Sequence, residues 1–229
     1  MMQQMVLDMA LGHGPTLANF CVGPNLPAWQ HLQLWLGQEG ASRLRSPVPT
    51  YLWGDSSSGK THLLRAVDAG LAALGQAAGW LDATGQQPVE FDEHWSAILL
   101  DDVHAYDTDR QHLAFNWFIN AQTQQIPVVA TGRLPPADLH LRDDLRTRLG
   151  WGHVFALQAL DDAERRAVLR ASAQSRGLLL GDEVMDFMLT RFSRDLGSLM
   201  ELLDLMDGYA LQTRRAITIP LIKTMMDNA

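Results

Sequence analysis

The chain has a single cysteine, Cys21, among its 229 residues. No internal disulfide can form, which suits a reducing compartment, and a cytoplasmic location is expected. No apolar run approaches the roughly 20 residues of a membrane-spanning helix, so no membrane is expected among its partners. The N-terminus lacks a basic stretch followed by an apolar one, and no signal peptide is expected. Positive charge is scarce as well: 18 Lys and Arg stand against 26 Asp and Glu, a net charge of −8. Phosphate backbones are gripped by clustered cations, so an extended nucleic-acid surface of its own is excluded. No internal repeat is visible. Apolar residues, at 47 %, are plentiful enough for a sizeable core. The length fits one large α/β domain or a core with a small second domain.

Within this composition one stretch carries chemistry. Gly54-Asp55-Ser56-Ser57-Ser58-Gly59-Lys60-Thr61 fits the P-loop pattern, Gly, four residues, then Gly-Lys-Ser/Thr. Such a loop must bend so that backbone N–H groups converge on phosphate oxygens, and Gly59 lets the main chain come close. Lys60 brings positive charge to the terminal phosphates, and the Thr61 hydroxyl is a candidate Mg²⁺ ligand. Tyr51-Leu52-Trp53 before it is apolar and β-prone; residues 61–67 after it have a helical pattern. Phosphates would then meet a helix N-terminus. The alternative is a Ser-rich surface turn.

Ser96-Ala97-Ile98-Leu99-Leu100-Asp101-Asp102 is the second informative stretch. Four apolar residues in a row predict a buried parallel strand, with the acidic pair at its C-terminal end, where α/β sheets bind ligands. Asp101 is the candidate metal ligand and Asp102 the candidate residue that polarises an attacking water. The alternative is a pair of helix-capping aspartates.

The remaining pattern predicts an α/β fold followed by helices. Residues 15–25 have the turn residues of a linker, in which Phe20 and Val22 are candidate apolar anchors, grouped with the nucleotide-binding residues 54–61. A helix is expected from Pro27 to Gly40, with Trp29, Leu32 and Leu36 on one face. Residues 79–82 and 127–131 read as further strands, the latter with polar Thr131 at its end, and 153–156 as the last. Residues 107–120 fit a helix with Leu113, Phe115, Trp117 and Phe118 toward the sheet. Pro135-Pro136 interrupts regular structure. Residues 141–149 carry Arg142, Arg146 and Arg148, either a solvated face or an arginine presented to a neighbour's nucleotide. After Leu160 the pattern turns wholly helical. Asp161-Asp162 caps a helix with Ala167, Val168 and Ala171 inward, closed by Gly177. A second helix starts near Asp182 with Val184, Phe187 and Met188 on one side. A third starts near Arg194, with Leu196, Leu199, Met200 and Leu203 in helical spacing, and a fourth at Pro220 with Leu221, Ile222, Met225 and Met226. The expected division is a tail at 1–15, an α/β domain at 16–160 and a small all-α domain at 161–229. In the tail, Gln4-Met5-Val6-Leu7-Asp8-Met9 suits an extended segment laid into a partner's groove, or a plain tail or edge strand.

This ordered set resembles an AAA+ ATPase, and more narrowly the DnaA-related branch and within it the Hda family, regulatory inactivators of DnaA. The resemblance rests on Thr16-Leu17-Ala18-Asn19-Phe20 with Gly23-Pro24-Asn25, on residues 54–61 and 98–102, on Ala130-Thr131-Gly132 with Pro135-Pro136, on Leu145-Arg146-Thr147-Arg148-Leu149-Gly150-Trp151-Gly152, and on Thr218-Ile219-Pro220. It covers nearly the whole chain. It implies a P-loop AAA+ parallel sheet flanked by helices, with a helical lid, holding ADP or ATP and Mg²⁺. It implies that Arg148 is an arginine finger that reaches a neighbouring DnaA–ATP, with Arg146 next in line. It implies that Gln4, Met5, Leu7 and Met9 bind the DNA polymerase III sliding clamp (β subunit), DNA being reached only through the clamp. A homo-oligomer is a further candidate assembly. DnaA carries a DNA-reading helix-turn-helix domain after its lid; here the sequence stops at Ala229, and none is expected. Arg133 stands where the family usually has an acidic sensor, and Gly197 where DnaA has a second sensor arginine, with Arg194 one turn earlier. An activator of DnaA's ATPase is therefore expected rather than an efficient hydrolase. The alternative is a self-assembling AAA+ ATPase resembling a helicase loader, hydrolysing its own ATP.

Overall fold

The computed structural model describes residues 14–37, 45–85, 90–191, 196–213 and 217–227. Five short strands form its sheet: β1 Thr50–Trp53, β2 Ala78–Leu81, β3 Ala97–Leu100, β4 Val128–Gly132 and β5 His153–Ala156. They pair in parallel in the order β2-β3-β4-β1-β5. Parallel neighbours need crossovers, and three of the connections carry helices: α2 Lys60–Ala73 follows β1, α3 Thr108–Gln124 follows β3, and α4 Asp143–Gly150 precedes β5. A preceding helix, α1 Leu26–Leu36, packs on α2 and β5.

Alternation along the central strands divides the core in two. Tyr51, Ile98, Leu100, Val128 and Ala130 face α3 and α4, together with Trp117, Phe118 and Leu145. Leu52, Ala97, Leu99 and Val129 face α1 and α2, with Leu32, Leu63, Leu64 and Val67. Adjacent residues serve opposite faces because side chains along a strand repeat every two residues. Both faces are covered, which explains why β3 and β4 read as continuous apolar runs. Trp117, only 1 % exposed, is the largest side chain fully enclosed. Trp117→Ala is expected to cost about 3–5 kcal/mol, read from the shift of the urea unfolding midpoint.

Helix boundaries follow local chemistry. Asp107 accepts the Arg110 N–H and starts α3. α1 stops at Gly37 rather than at the expected Gly40. Gly37 adopts φ 76°, and its N–H meets the carbonyls of Gln33 and Leu34, a left-handed cap that glycine adopts without strain; Gly40 lies outside the described residues.

Among the described residues four helices follow β5: α5 Asp162–Ser175, α6 Asp182–Arg191, α7 Leu196–Thr213 and α8 Ile219–Asp227. Asp161 and Glu164 form a reciprocal capping box at the start of α5. These helices close over a core of their own, with Leu169, Ala173, Met185, Met188, Leu199, Leu203, Met206 and Ile222 inside. The buried stripe of α5 therefore runs through Leu169 and Ala173; Ala167 and Ala171, expected inward, are exposed. Leu169 offers far more apolar surface than either alanine, and the helix rotates to bury it. Among the described residues, no helix is long and apolar enough to cross a membrane.

Candidate functional site

The loop 54–59 leaves β1 at its C-terminal end and enters α2 at Lys60. Gly54 lies directly under the chain leaving β5: a Cβ there would stand 2.2 Å from the Leu157 carbonyl oxygen. Gly59 has φ 88°, and a Cβ would stand 2.7 Å from the Phe20 ring. Both positions exclude a side chain. The first turn of α2 receives no side-chain cap among the described residues, so its N–H groups keep their capacity for an anion. Ser58 is buried, whereas Asp55, Ser56 and Ser57 are exposed, and Ser57 adopts φ 65°. Lys60 is buried, and its Nζ donates to the carbonyls of Gly54 (2.8 Å) and Asp55 (2.7 Å) and to Ser58 Oγ (3.4 Å). Burial lowers the Lys60 pKa; Asp102, Asp101 and Asp55 act against that, while Arg133 adds to it.

Asp101 and Asp102 follow β3 and part at once. Asp101 is buried; its Oδ1 accepts the Thr61 hydroxyl at 3.2 Å and the Thr131 hydroxyl at 2.5 Å. Burial raises its pKa, with hydrogen bonds from Thr131 and Thr61 opposing. Asp102 takes a left-handed backbone, φ 50°, and its side chain turns outward, 45 % exposed, 3.8 Å from His104 Nδ1. Its N–H donates to Thr131 Oγ1 at 2.9 Å. Thr131 thus holds the two aspartates in different poses from one hydroxyl.

A polyphosphate fits this cradle: two glycines where a Cβ would intrude, an uncapped helix start and a buried ammonium. Thr61 and Asp101 offer adjacent hard oxygens of the kind Mg²⁺ accepts.

The segment before α1 is tied to the loop. Thr16 and Asn19 exchange hydrogen bonds, each backbone N–H to the other's side-chain oxygen. His62 Nε2 lies 3.2 Å from the Thr16 carbonyl and 3.0 Å from Asn19 Oδ1, and its ring is 5.5 Å from that of Phe20. Val22 is half-buried at the next turn, its carbonyl taking the Asn25 N–H. The Asn25 side chain in turn pairs with both backbone groups of Gln158, pinning this segment to the stretch between β5 and α5.

Arg148 belongs to another part of the molecule. It is half-buried near the end of α4, its Nη1 donating to the Asp144 carbonyl at 3.2 Å, with the guanidinium 4.9 Å from the Phe115 ring centre. Arg142 lies over the same ring at 4.5 Å and is held by both oxygens of Asp144, at 2.6 and 2.7 Å. Phe115 therefore does not pack toward the sheet as expected; it carries two cations. Arg146 is paired with Asp143 at 2.7 Å, whereas Arg148 is in no ion pair among the described residues. After Arg148, the turn at Trp151 and Gly152 leads into the N-terminal end of β5. There a Cβ on Gly152 would meet the Pro49 carbonyl, and His153 N–H donates to it at 2.8 Å. Pro49 precedes β1, so this turn stands at the opposite end of that strand from Gly54.

The structure thus brings Gly54, Lys60, Thr61, Asp101, Thr131 and Phe20 together and leaves Arg148 apart. Gln4, Met5, Leu7 and Met9 lie outside the described residues, as does Arg194; Gly197 is in the first turn of α7 and exposed. The role of His62 and the aromatic support of Arg148 escape the sequence pattern. The signal was a histidine and an aromatic whose partners lie 30 or more residues away.

A model of the Hda lid domain matches residues 162–226. An uncharacterized protein of Haemophilus influenzae is 33 % identical over 236 residues, covering 99 % of this chain and all of that one. Domain III of the Thermotoga maritima replication initiation protein DnaA superposes with a TM-score of 0.71 at 20 % identity, over 93 % of this chain and 95 % of that one. AMPPCP-bound DnaA from Aquifex aeolicus gives 0.64 at 24 % identity, over 87 % and 68 %.

Proposed function

We propose a function from one premise: the chain belongs to the Hda-like branch of the DnaA-related AAA+ proteins. It is a DnaA-related replication regulator. On that basis we assign it a nucleotide site at residues 54–61 and an output directed at a second protein. The 16–160 segment acts as the nucleotide-binding domain and 161–229 as its lid, with 1–15 as a tail.

Within the site, Lys60 and the N–H groups opening α2 would hold the phosphates of ADP or ATP, and Phe20 and Val22 would flank the nucleotide. AMPPCP bound to a DnaA of the same fold supports a nucleotide here. Thr61 and Asp101 would hold Mg²⁺, which neutralises phosphate charge when bound. Asp102, turned toward solvent, would orient water.

The observation that carries the reading is the position of Arg148. Its guanidinium rests on the Asp144 carbonyl and the Phe115 ring, with the Asp144 carboxylate near enough to feel its charge, and the turn after it meets the far end of β1 from Gly54. A second protein's nucleotide can approach such a group, and we take that protein to be DnaA in its ATP form. The planar fork suits paired phosphate oxygens and stabilises charge developing there. Gln4, Met5, Leu7 and Met9 would tether the chain to the sliding clamp, so that DNA is met through the clamp.

The test is hydrolysis of DnaA-bound ATP in the presence of clamp loaded on DNA, with and without this chain. Conversion to ADP should accelerate only when all are present. Strong turnover by the chain alone would favour the self-hydrolysing ATPase instead. Deleting residues 1–9 should abolish clamp binding in a titration and leave the Tm unchanged; unaltered affinity would remove the tether.

A further inference from the structure

Between residues 142 and 148 stand the arginines 142, 146 and 148 and the aspartates 143 and 144, so pairing one to one leaves one cation over. Spacing alone would leave over Arg142, which precedes the first turn of α4. Asp143 and Arg146 are three residues apart and do pair, at 2.7 Å. Asp144 and Arg148 are four apart, with the acid nearer the N-terminus, the arrangement that favours an ion pair along a helix.

The structure pairs them otherwise. Arg142 Nε and Nη2 donate to Asp144 Oδ1 and Oδ2 at 2.6 and 2.7 Å, so both oxygens of the carboxylate are taken. Oδ1 also accepts the Leu145 N–H at 2.7 Å. Arg142 is fixed in this pose from α3. Its backbone N–H donates to Gln111 Oε1 at 2.9 Å, its Nη1 lies 2.5 Å from His112 Nδ1, and its guanidinium lies over the Phe115 ring. The cation left over is therefore Arg148, which has the Asp144 carbonyl at 3.2 Å in place of the carboxylate. Hydrogen bonding by Arg142 is the largest of the influences on the lowered Asp144 pKa, and the charge of Arg148 is among the smaller ones. A guanidinium held in a carboxylate's fork is closed to a phosphate, because both anions offer the same paired oxygens.

We propose that Arg142 is a positioning residue for Arg148: by occupying both oxygens of Asp144, it keeps that carboxylate from capturing the Arg148 guanidinium and leaves the guanidinium open to a second protein's phosphates. The proposal rests on Arg148 being the group that serves the nucleotide of DnaA. Without Arg142, Asp144 is a free carboxylate one helical turn from Arg148, and each encounter with the partner's phosphates must first break the new pair.

The experiment measures the single-turnover rate of ADP formation on DnaA, with clamp loaded on DNA and saturating full-length chain. The chains compared are wild type, Arg142→Ala, Arg142→Lys, the double variant Arg142→Ala with Asp144→Asn, and Arg148→Ala. Arg142→Ala should slow the stimulated rate about two- to fivefold, the strength of an exposed pair along a helix, at unchanged affinity for DnaA. Arg142→Lys should fall between, since an ammonium covers only part of the carboxylate. Adding Asp144→Asn to Arg142→Ala should restore the rate, which no loss of helix packing would do. Full stimulation by Arg142→Ala, or a loss that Asp144→Asn does not restore, would overturn the role of Arg142 and leave that of Arg148 intact. A wild-type chain without stimulation, or full stimulation by Arg148→Ala, would overturn both.

Discussion

Arg148→Ala is expected to fold, to bind nucleotide and clamp as the parent does, and to leave ATP on DnaA hydrolysing at its unstimulated rate. The guanidinium is half-buried, on a ring face and one carbonyl, and no ion pair within the described residues depends on it. Its removal therefore costs the fold little. Its loss from a partner's phosphates would cost a great deal: arginines supplied in trans accelerate hydrolysis in GTPases by about 10³–10⁵. Arg148→Lys should recover only a small part, because an ammonium neither reproduces the bidentate fork nor stacks as well on Phe115. The measurement is the single-turnover rate of ADP formation on DnaA, with the clamp present throughout. Full stimulation by Arg148→Ala would transfer the role to Arg146. Arg146 is paired with the exposed Asp143 at 2.7 Å, and it would have to leave that pair to serve.

Lys60→Ala is the second large effect. The ammonium is buried and organises the loop from within through Gly54, Asp55 and Ser58. Removing it deletes the charge for the phosphates and frees the two carbonyls that shape the cradle. Truncating one partner of a buried charged contact typically costs 2–5 kcal/mol, so nucleotide affinity should fall by about 30-fold to several thousand-fold. The nucleotide-induced rise in Tm should disappear with it. At a hundredfold excess over Kd, binding stabilises the parent by about 2.7 kcal/mol, which the variant would lack. A variant with an undiminished thermal shift would mean that nucleotide binds elsewhere than residues 54–61.

The chain's acidity does not conflict with a role in replication. With a net charge of −8, it is a poor ligand for DNA on its own. A regulator that acts on another protein needs only the few cations that are placed for it. Lys60 lies at one end of β1, and the turn after Arg148 stands at the other.

The linear sequence settled whatever depends on residues close together along the chain. The loop from Gly54 to Thr61, the acidic pair after β3, the cap at Asp161 and the four terminal helices were all legible. In each, spacing along the chain is itself the geometry: a tight turn, a strand end or a helix start is built from neighbours. Tertiary structure decided what distant segments do to one another. The strand order β2-β3-β4-β1-β5 puts Thr131 on Asp101, 30 residues away, and Gly132 on Gly54. Helical periodicity said that Phe115 belonged to an amphipathic helix. It could not say that arginines from another helix would cover the ring, nor that α5 would turn Leu169 inward in place of Ala167. Periodicity specifies a face within one element, whereas the partner of that face is chosen by the burial and hydrogen bonding of the whole assembled chain.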